Sequence, residues 1–102
     1  MIMVRMVFQA KWGNAQKVVD EFKDNTEMMQ RIFGPEVHGR ILTDLSGPFH
    51  TIVQELEVES LAEWERIRTA MFDNPELQEA QASGENPFES GRTEFYTIED
   101  TF

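Results

Sequence analysis

The period of the apolar positions changes several times along the chain, and each change marks an element. From Met1 to Ala10 only Arg5 and Gln9 interrupt a run of Met, Ile, Val, Phe and Ala, which predicts a strand buried on both faces. Side-chain alternation puts Val4, Met6 and Phe8 on one side and Met3, Arg5, Val7 and Gln9 on the other. After Trp12-Gly13-Asn14, with Asn14 as N-cap, the residues Ala15, Val18, Val19, Phe22, Met29, Ile32 and Phe33 recur with helical periodicity and predict one amphipathic helix. Gly34 supplies its left-handed end and Pro35 forbids continuation.

Two extended runs, Glu36 to Asp44 and Phe49 to Val58, flank the turn sequence Leu45-Ser46-Gly47-Pro48 and predict an antiparallel hairpin. A turn made of Ser46-Gly47-Pro48 places His38, Arg40 and Leu42 beside Leu56, Gln54 and Ile52, and a four-residue loop reverses that assignment. Ser60-Leu61-Ala62-Glu63 is a capping box, and it opens a helix with the core stripe Leu61, Trp64, Ile67, Met71. Asp73-Asn74-Pro75 breaks this helix, with Asn74 as a second cap and Pro75 starting a short segment to Ala80. Ser83 to Gly91 reads as loop, and Arg92 to Glu99, with Phe95, Tyr96 and Ile98, as the last strand.

The order β-α-β-β-α-β predicts an α+β, ferredoxin-like domain over residues 1–102: a four-stranded antiparallel sheet with two helices on one face. Those helices leave the other face uncovered. Met3, Val7, Ile52 and Leu56 are expected there beside Arg5 and Gln54, and a half-apolar face of that size marks an interface. The expectation is a two-fold homodimer enclosing a cavity between the two sheets.

Beyond the order of elements, the segment His38-Gly39-Arg40-Ile41-Leu42-Thr43-Asp44-Leu45-Ser46-Gly47-Pro48-Phe49, the following Val53-Gln54-Glu55-Leu56-Glu57, the cap Ser60-Leu61-Ala62-Glu63 and the late Ser90-Gly91-Arg92-Thr93-Glu94 resemble the dimeric α+β barrel superfamily, nearest its NIPSNAP-like members. The resemblance covers nearly the whole chain. It implies a homodimeric barrel that holds small organic molecules in those members that are enzymes, among them cofactor-free monooxygenases of the antibiotic-biosynthesis type, haem-degrading monooxygenases and lactone isomerases. The haem-degrading relatives rely on a helix-borne His and an Asn in the first strand, whereas here neither predicted helix holds His and the first strand offers Gln9. No cofactor is expected.

Charge and composition narrow the partners. Nine Lys and Arg against 19 Asp and Glu give a net charge of −10, which argues against nucleic acid. No apolar run is long enough to span a membrane, and Met1-Ile2-Met3-Val4-Arg5 does not open a secretory signal. The absence of Cys is compatible with a reducing cytoplasm, the expected location, and removes thiolate chemistry and Cys-zinc sites.

His38 and His50 are the only histidines, and neither lies in a metal-binding spacing, so no metal site is expected. His38, nearer mid-strand, is the candidate acid or base, and the alternative is a structural hydrogen bond at the sheet edge. Arg5 and Arg40 could hold a carboxylate or enolate on the cavity side, or form ion pairs with Glu36, Glu55 or Glu94. Glu55, central in an apolar strand, needs a partner or a rim position. Tyr96, Gln54, Gln9 and His50 complete the polar candidates, while Trp64 fits the core and Trp12 a loop anchor.

Two functions follow. One is a cofactor-independent monooxygenase or isomerase acting in the inter-sheet cavity, with His38 as base, Arg40 or Arg5 stabilising an enolate, and Tyr96 or Gln54 orienting it. The other is a non-catalytic ligand-binding or interaction module on the same fold.

Overall fold

β1 (Ile2–Ala10) is the hub of the domain. It pairs antiparallel with β3 (Thr51–Val58) on one side and β4 (Phe88–Thr97) on the other, and β2 (His38–Thr43) joins the outer edge of β3. The resulting order, β2-β3-β1-β4, is that of a ferredoxin-like sheet. The structure is a computed structural model describing residues 1–82, with side chains through Glu79, and residues 86–102. The start of the expected late loop, residues 83–85, lies outside the described residues.

Alternation in β1 decides the layering. Val4 is fully buried and joins Leu56, Val58, Phe33, Val37, Trp64 and Ile67 in one core cluster, while Ala10, Val18, Val19 and Ile52 form a second toward the other end of the strand. All helices lie on this side: α1 (Ala15–Asp24) and α2 (Thr26–Phe33) between the first two strands, and α3 (Leu61–Asp73) and α4 (Pro75–Ala82) between the last two. Trp64 is core, as its place in the stripe indicates, but Leu61 is exposed, so the buried stripe starts one turn later.

The single helix expected from Asn14 to Phe33 is two. It breaks at Asn25, whose ψ of 4° departs from helical geometry. Lys23-Asp24-Asn25-Thr26-Glu27 carries no apolar side chain to hold the turn down, and the Thr26 hydroxyl donates back to the Phe22 carbonyl at 3.1 Å. Asn14 precedes α1 without a side-chain cap bond. The second pair is capped as its sequence indicates: Ser60 Oγ accepts from the Glu63 amide at 3.2 Å, and Asn74 Oδ1 from the Leu77 amide at 3.1 Å.

The hairpin register is one residue from that of the three-residue turn. His38 pairs with Glu57, Arg40 with Glu55 and Leu42 with Val53. The reason lies at the turn: Asp44 and Thr51 form the last pair, with the Thr51 amide also donating to Asp44 Oδ1 at 3.0 Å, and this leaves a connection with an even number of residues, 45–50. Gly47 and His50 close it at positive φ, 93° and 61°. Gln54, Ile52 and Leu56, expected on the open face, consequently face the helices, and Thr51, Val53, Glu55 and Glu57 lie on the open face in their stead.

β4 begins at Phe88, four residues earlier than the expected Arg92, and ends at Thr97 rather than Glu99. Gly91, which reads as a loop residue, leaves room for the ring beneath it: a Cβ there would lie 3.4 Å from Phe8 Cδ1. Phe88 then packs on Phe8 with ring centroids 5.1 Å apart.

Candidate functional site

The paired register arranges the open face as cross-strand rows. His38, Glu57, Met3 and Tyr96 form one row, in the order β2, β3, β1, β4; Arg40, Glu55, Arg5 and Glu94 form the next; Leu42, Val53, Val7 and Arg92 the third. The second row is an alternating chain of charge across all four strands. Arg40 Nε donates to Glu55 Oε1 at 2.6 Å, Arg5 Nε lies 3.8 Å from Glu55 Oε2, Arg5 also reaches Glu94 at 3.5 Å, and Arg92 Nε donates to Glu94 Oε2 at 3.1 Å. The contacts are tight at the edges and long in the centre, and Arg5 Nε is buried without a hydrogen-bond partner among the described residues.

This row shows the ion pairs that are one of the two expectations for Arg5 and Arg40. Both are ion-paired with Glu55, and Arg5 also with Glu94; Arg40 makes its contact through Nε, with its side chain 65% exposed. Glu55, with only 11% of its side chain exposed, has the partner its position demanded. The Glu94 carboxyl is held below its ordinary range first by the hydrogen bond from Arg92, against burial, with further help from Tyr96 and from the charges of Arg92 and Arg5.

The remaining candidates do not converge within one chain. His38 and Tyr96 stand at opposite ends of their row, three strand spacings or about 14 Å apart. Gln9 serves the β2–β3 connection, donating to the Phe49 carbonyl and accepting from Thr51 Oγ1 at 3.2 Å. His50 packs edge-on against Trp12 with centroids 4.7 Å apart, and its Nε2 is buried without a partner among the described residues. Trp12, expected as a loop anchor, is 78% exposed and touches Phe49 as well as His50. No group of three or more metal-ligating side chains occurs among the described residues.

Of the candidates, Gln54 and Arg40 line a cleft. This cleft, of about 210 Å³, opens on the helix side of the sheet, between α1–α2 and the β2–β3 edge. Phe22, Met29, Phe33, Ile41 and Leu56 make it apolar, and Gly39 forms part of its wall where a Cβ would meet Leu56 Cδ2 at 2.7 Å. Its other polar neighbours are occupied. Thr26 bonds to Phe22, Gln30 Nε2 donates to the Gly34 and Val37 carbonyls at 2.8 and 3.4 Å, and Arg40 is committed to Glu55. The Gln54 amide makes no hydrogen bond among the described residues and borders the cleft with a free donor and acceptor. Gln30, Thr26 and Gly39 were not among the sequence candidates. Gly39, a lone glycine inside a strand pattern, was the available signal of close approach.

No protein-family model matches this chain, and no curated protein is similar to it. Solved structures are. A NIPSNAP-family protein from Agrobacterium tumefaciens str. C58 superposes with a TM-score of 0.83 at 15% identity, over 97% of this chain and 86% of its own. A candidate antibiotic biosynthesis monooxygenase from Deinococcus radiodurans gives 0.70 at 10% identity, over 100% and 96%. MhuD, in a mutant form with two manganese protoporphyrin IX molecules bound per active site, gives 0.77 at 7% identity, over 100% and 98%. At such identities the likeness establishes the architecture, and it is the one that the sequence resemblance implied: this chain has the ferredoxin-like α+β fold shared by NIPSNAP-family and antibiotic-biosynthesis-monooxygenase-like proteins.

Proposed function

We propose that this protein is a homodimeric small-molecule-binding protein whose ligand occupies the cleft between α1–α2 and the β2–β3 edge. The observation that carries the reading is the Gln54 amide, without a hydrogen bond among the described residues, beside the apolar walls of the cleft. A volume of about 210 Å³ suits a single-ring molecule, being below the ~300–1,000 Å³ of sites for drug-sized ligands. With Arg40 bound to Glu55, the preferred ligand is uncharged, with a carbonyl, amide or hydroxyl for Gln54. The second copy covers the open sheet face, where Leu42 and Tyr96 stand exposed beside the charged row and Val7 and Val53 lie nearly buried beneath their neighbours.

Haem finds little support in these residues. None of α1–α4 carries a His, and neither His38 nor His50 borders the cleft. A base-catalysed reaction using His38, Arg40 and Tyr96 also lacks support within one protomer, since His38 and Tyr96 lie at opposite edges of the sheet. The geometry therefore favours binding over the monooxygenase or isomerase reading.

Benzamide and benzoate, matched in shape and different in charge, test the site. Benzamide should shift the Gln54 side-chain amide resonances and raise the melting temperature, benzoate should do neither, and Gln54→Leu should remove the benzamide response. A protein indifferent to benzamide and to benzene alike overturns the assignment of the cleft. His38→Ala with turnover of an electron-rich phenol lost and the dimer intact would instead favour catalysis.

A further inference from the structure

On the reading of the cleft as a ligand site, proposed above, we infer that its ligand is a primary carboxamide carried on a flat ring and held by Gln54 and Gln30 together. The amide edge pairs with the Gln54 side chain through two parallel hydrogen bonds, and the second N–H goes to Gln30 Oε1.

Two side-chain amides border the cleft, and they differ in what each has left to offer. Gln54 lies on β3 between Ile52 and Leu56, which are 0% and 1% exposed beneath the helices. Its amide makes no hydrogen bond among the described residues, so none of them fixes its turn and it offers a donor and an acceptor side by side in either order. Gln30, on α2, is turned one way only. Its Nε2 lies 2.8 Å from the Gly34 carbonyl oxygen and 3.4 Å from that of Val37, and because a carbonyl only accepts, the nitrogen must face them. Gln30 Oε1 accepts no hydrogen bond among the described residues and is left as an acceptor. The Thr26 hydroxyl gives its proton to the Phe22 carbonyl at 3.1 Å and likewise keeps only lone pairs. The charged neighbour, Arg40, is engaged by Glu55 through Nε. The neutral polar groups of the wall therefore hold more acceptors than donors.

A guest that answers them needs several N–H or O–H protons and one carbonyl oxygen. A carboxylate donates nothing. A hydroxyl brings one proton, and its single oxygen cannot align with both atoms of the Gln54 amide at once. A secondary amide in an open chain is trans, with N–H and C=O on opposite sides, and meets only one atom of Gln54. A primary carboxamide has one N–H beside its C=O, at the spacing of the Gln54 amide itself, and a second N–H directed away from that edge. Three hydrogen bonds are thus open to it, where a ketone of the same shape has one. Its ring lies against Phe22, Met29, Phe33 and Leu56.

Acetophenone provides the test, because it replaces the amide nitrogen of benzamide by a methyl group of nearly the same size and keeps the carbonyl. Titrations followed by the side-chain amide resonances of Gln54 and Gln30 should give benzamide an affinity about tenfold above that of acetophenone, since the lost donors leave both glutamine oxygens without partners. Gln54→Leu should bring the two ligands to within about twofold of each other. Gln30→Leu, whose melting temperature is checked because Gln30 also closes the end of α2, should weaken benzamide and leave acetophenone unchanged. The wild-type comparison needs no variant and decides the matter if either substitution fails to fold. Equal affinities, or a preference for acetophenone, overturn the carboxamide while leaving the cleft a ligand site. Failure of benzamide, acetophenone and benzene alike overturns the cleft, and this inference with it.

Discussion

Arg40 on the edge strand and Glu55 beside it are joined by a 2.6 Å hydrogen bond on a face that the helices do not cover. The carboxylate is the less exposed partner, so the bond matters chiefly for what it prevents. Arg40→Ala should destabilise the protein by about 1 kcal/mol, a value kept small because the Arg40 side chain is 65% exposed. Urea unfolding measures it, and Glu55→Gln in the Arg40→Ala background should recover part of the loss, since the unpaired charge is gone.

The depressed Glu94 carboxyl links stability to acid. A group whose folded value lies below its ordinary 4.5 stabilises the fold above that value, and the contribution disappears as the pH falls through the lower folded value. Glu63 behaves alike, lowered by its hydrogen bond with Arg66. In thermal melts between pH 6 and pH 3, Glu94→Gln should lose less stability on acidification than the wild type. Parallel curves would contradict this.

Gly39→Ala tests the close approach of β2 and Leu56. The new Cβ would lie 2.7 Å from Leu56 Cδ2 and 3.1 Å from the Glu55 carbonyl oxygen, and Leu56 is almost fully buried. A cost of about 1–3 kcal/mol is expected from overpacking. The displaced leucine side chain also narrows the cleft, so benzamide binding should weaken beyond the loss of stability.

Ser60→Ala removes the acceptor for the Glu63 amide and should cost about 1 kcal/mol. Chemical denaturation with an unchanged m-value would show that the helix start alone has weakened. Ser60→Asp should retain most of the stability.

The fold was legible because its signals are local. The capping box at Ser60, the glycine and proline after Phe33, and the alternation through Val4, Met6 and Phe8 act within a few residues and agree with one another. The faces of β2 and β3 were harder, because they depend on the parity of the connection, and Asp44 with Thr51 set it one residue from the simplest turn. That residue separates an Arg40 beside Gln54 from an Arg40 bonded to Glu55. The start of β4 was obscured for a different reason: Ser90 and Gly91 carry loop chemistry, yet Gly91 sits opposite Phe8 in the ladder. The cleft was least visible, since its walls come from α1, α2, β2 and β3 and no motif joins Phe22, Gln30 and Gln54.

Arg66 on α3 has a consequence for how such a cleft opens. Held in place by Glu63, it donates through Nη2 to the Phe33 carbonyl at 3.0 Å, at the last residue of α2. The helix forming the outer wall is thus tethered at its far end to the second helical pair and jointed at Asn25 at its near end. A guest that pushes α2 outward must pull on α3, which makes the spread of the cleft something that the opposite half of the helical layer can feel.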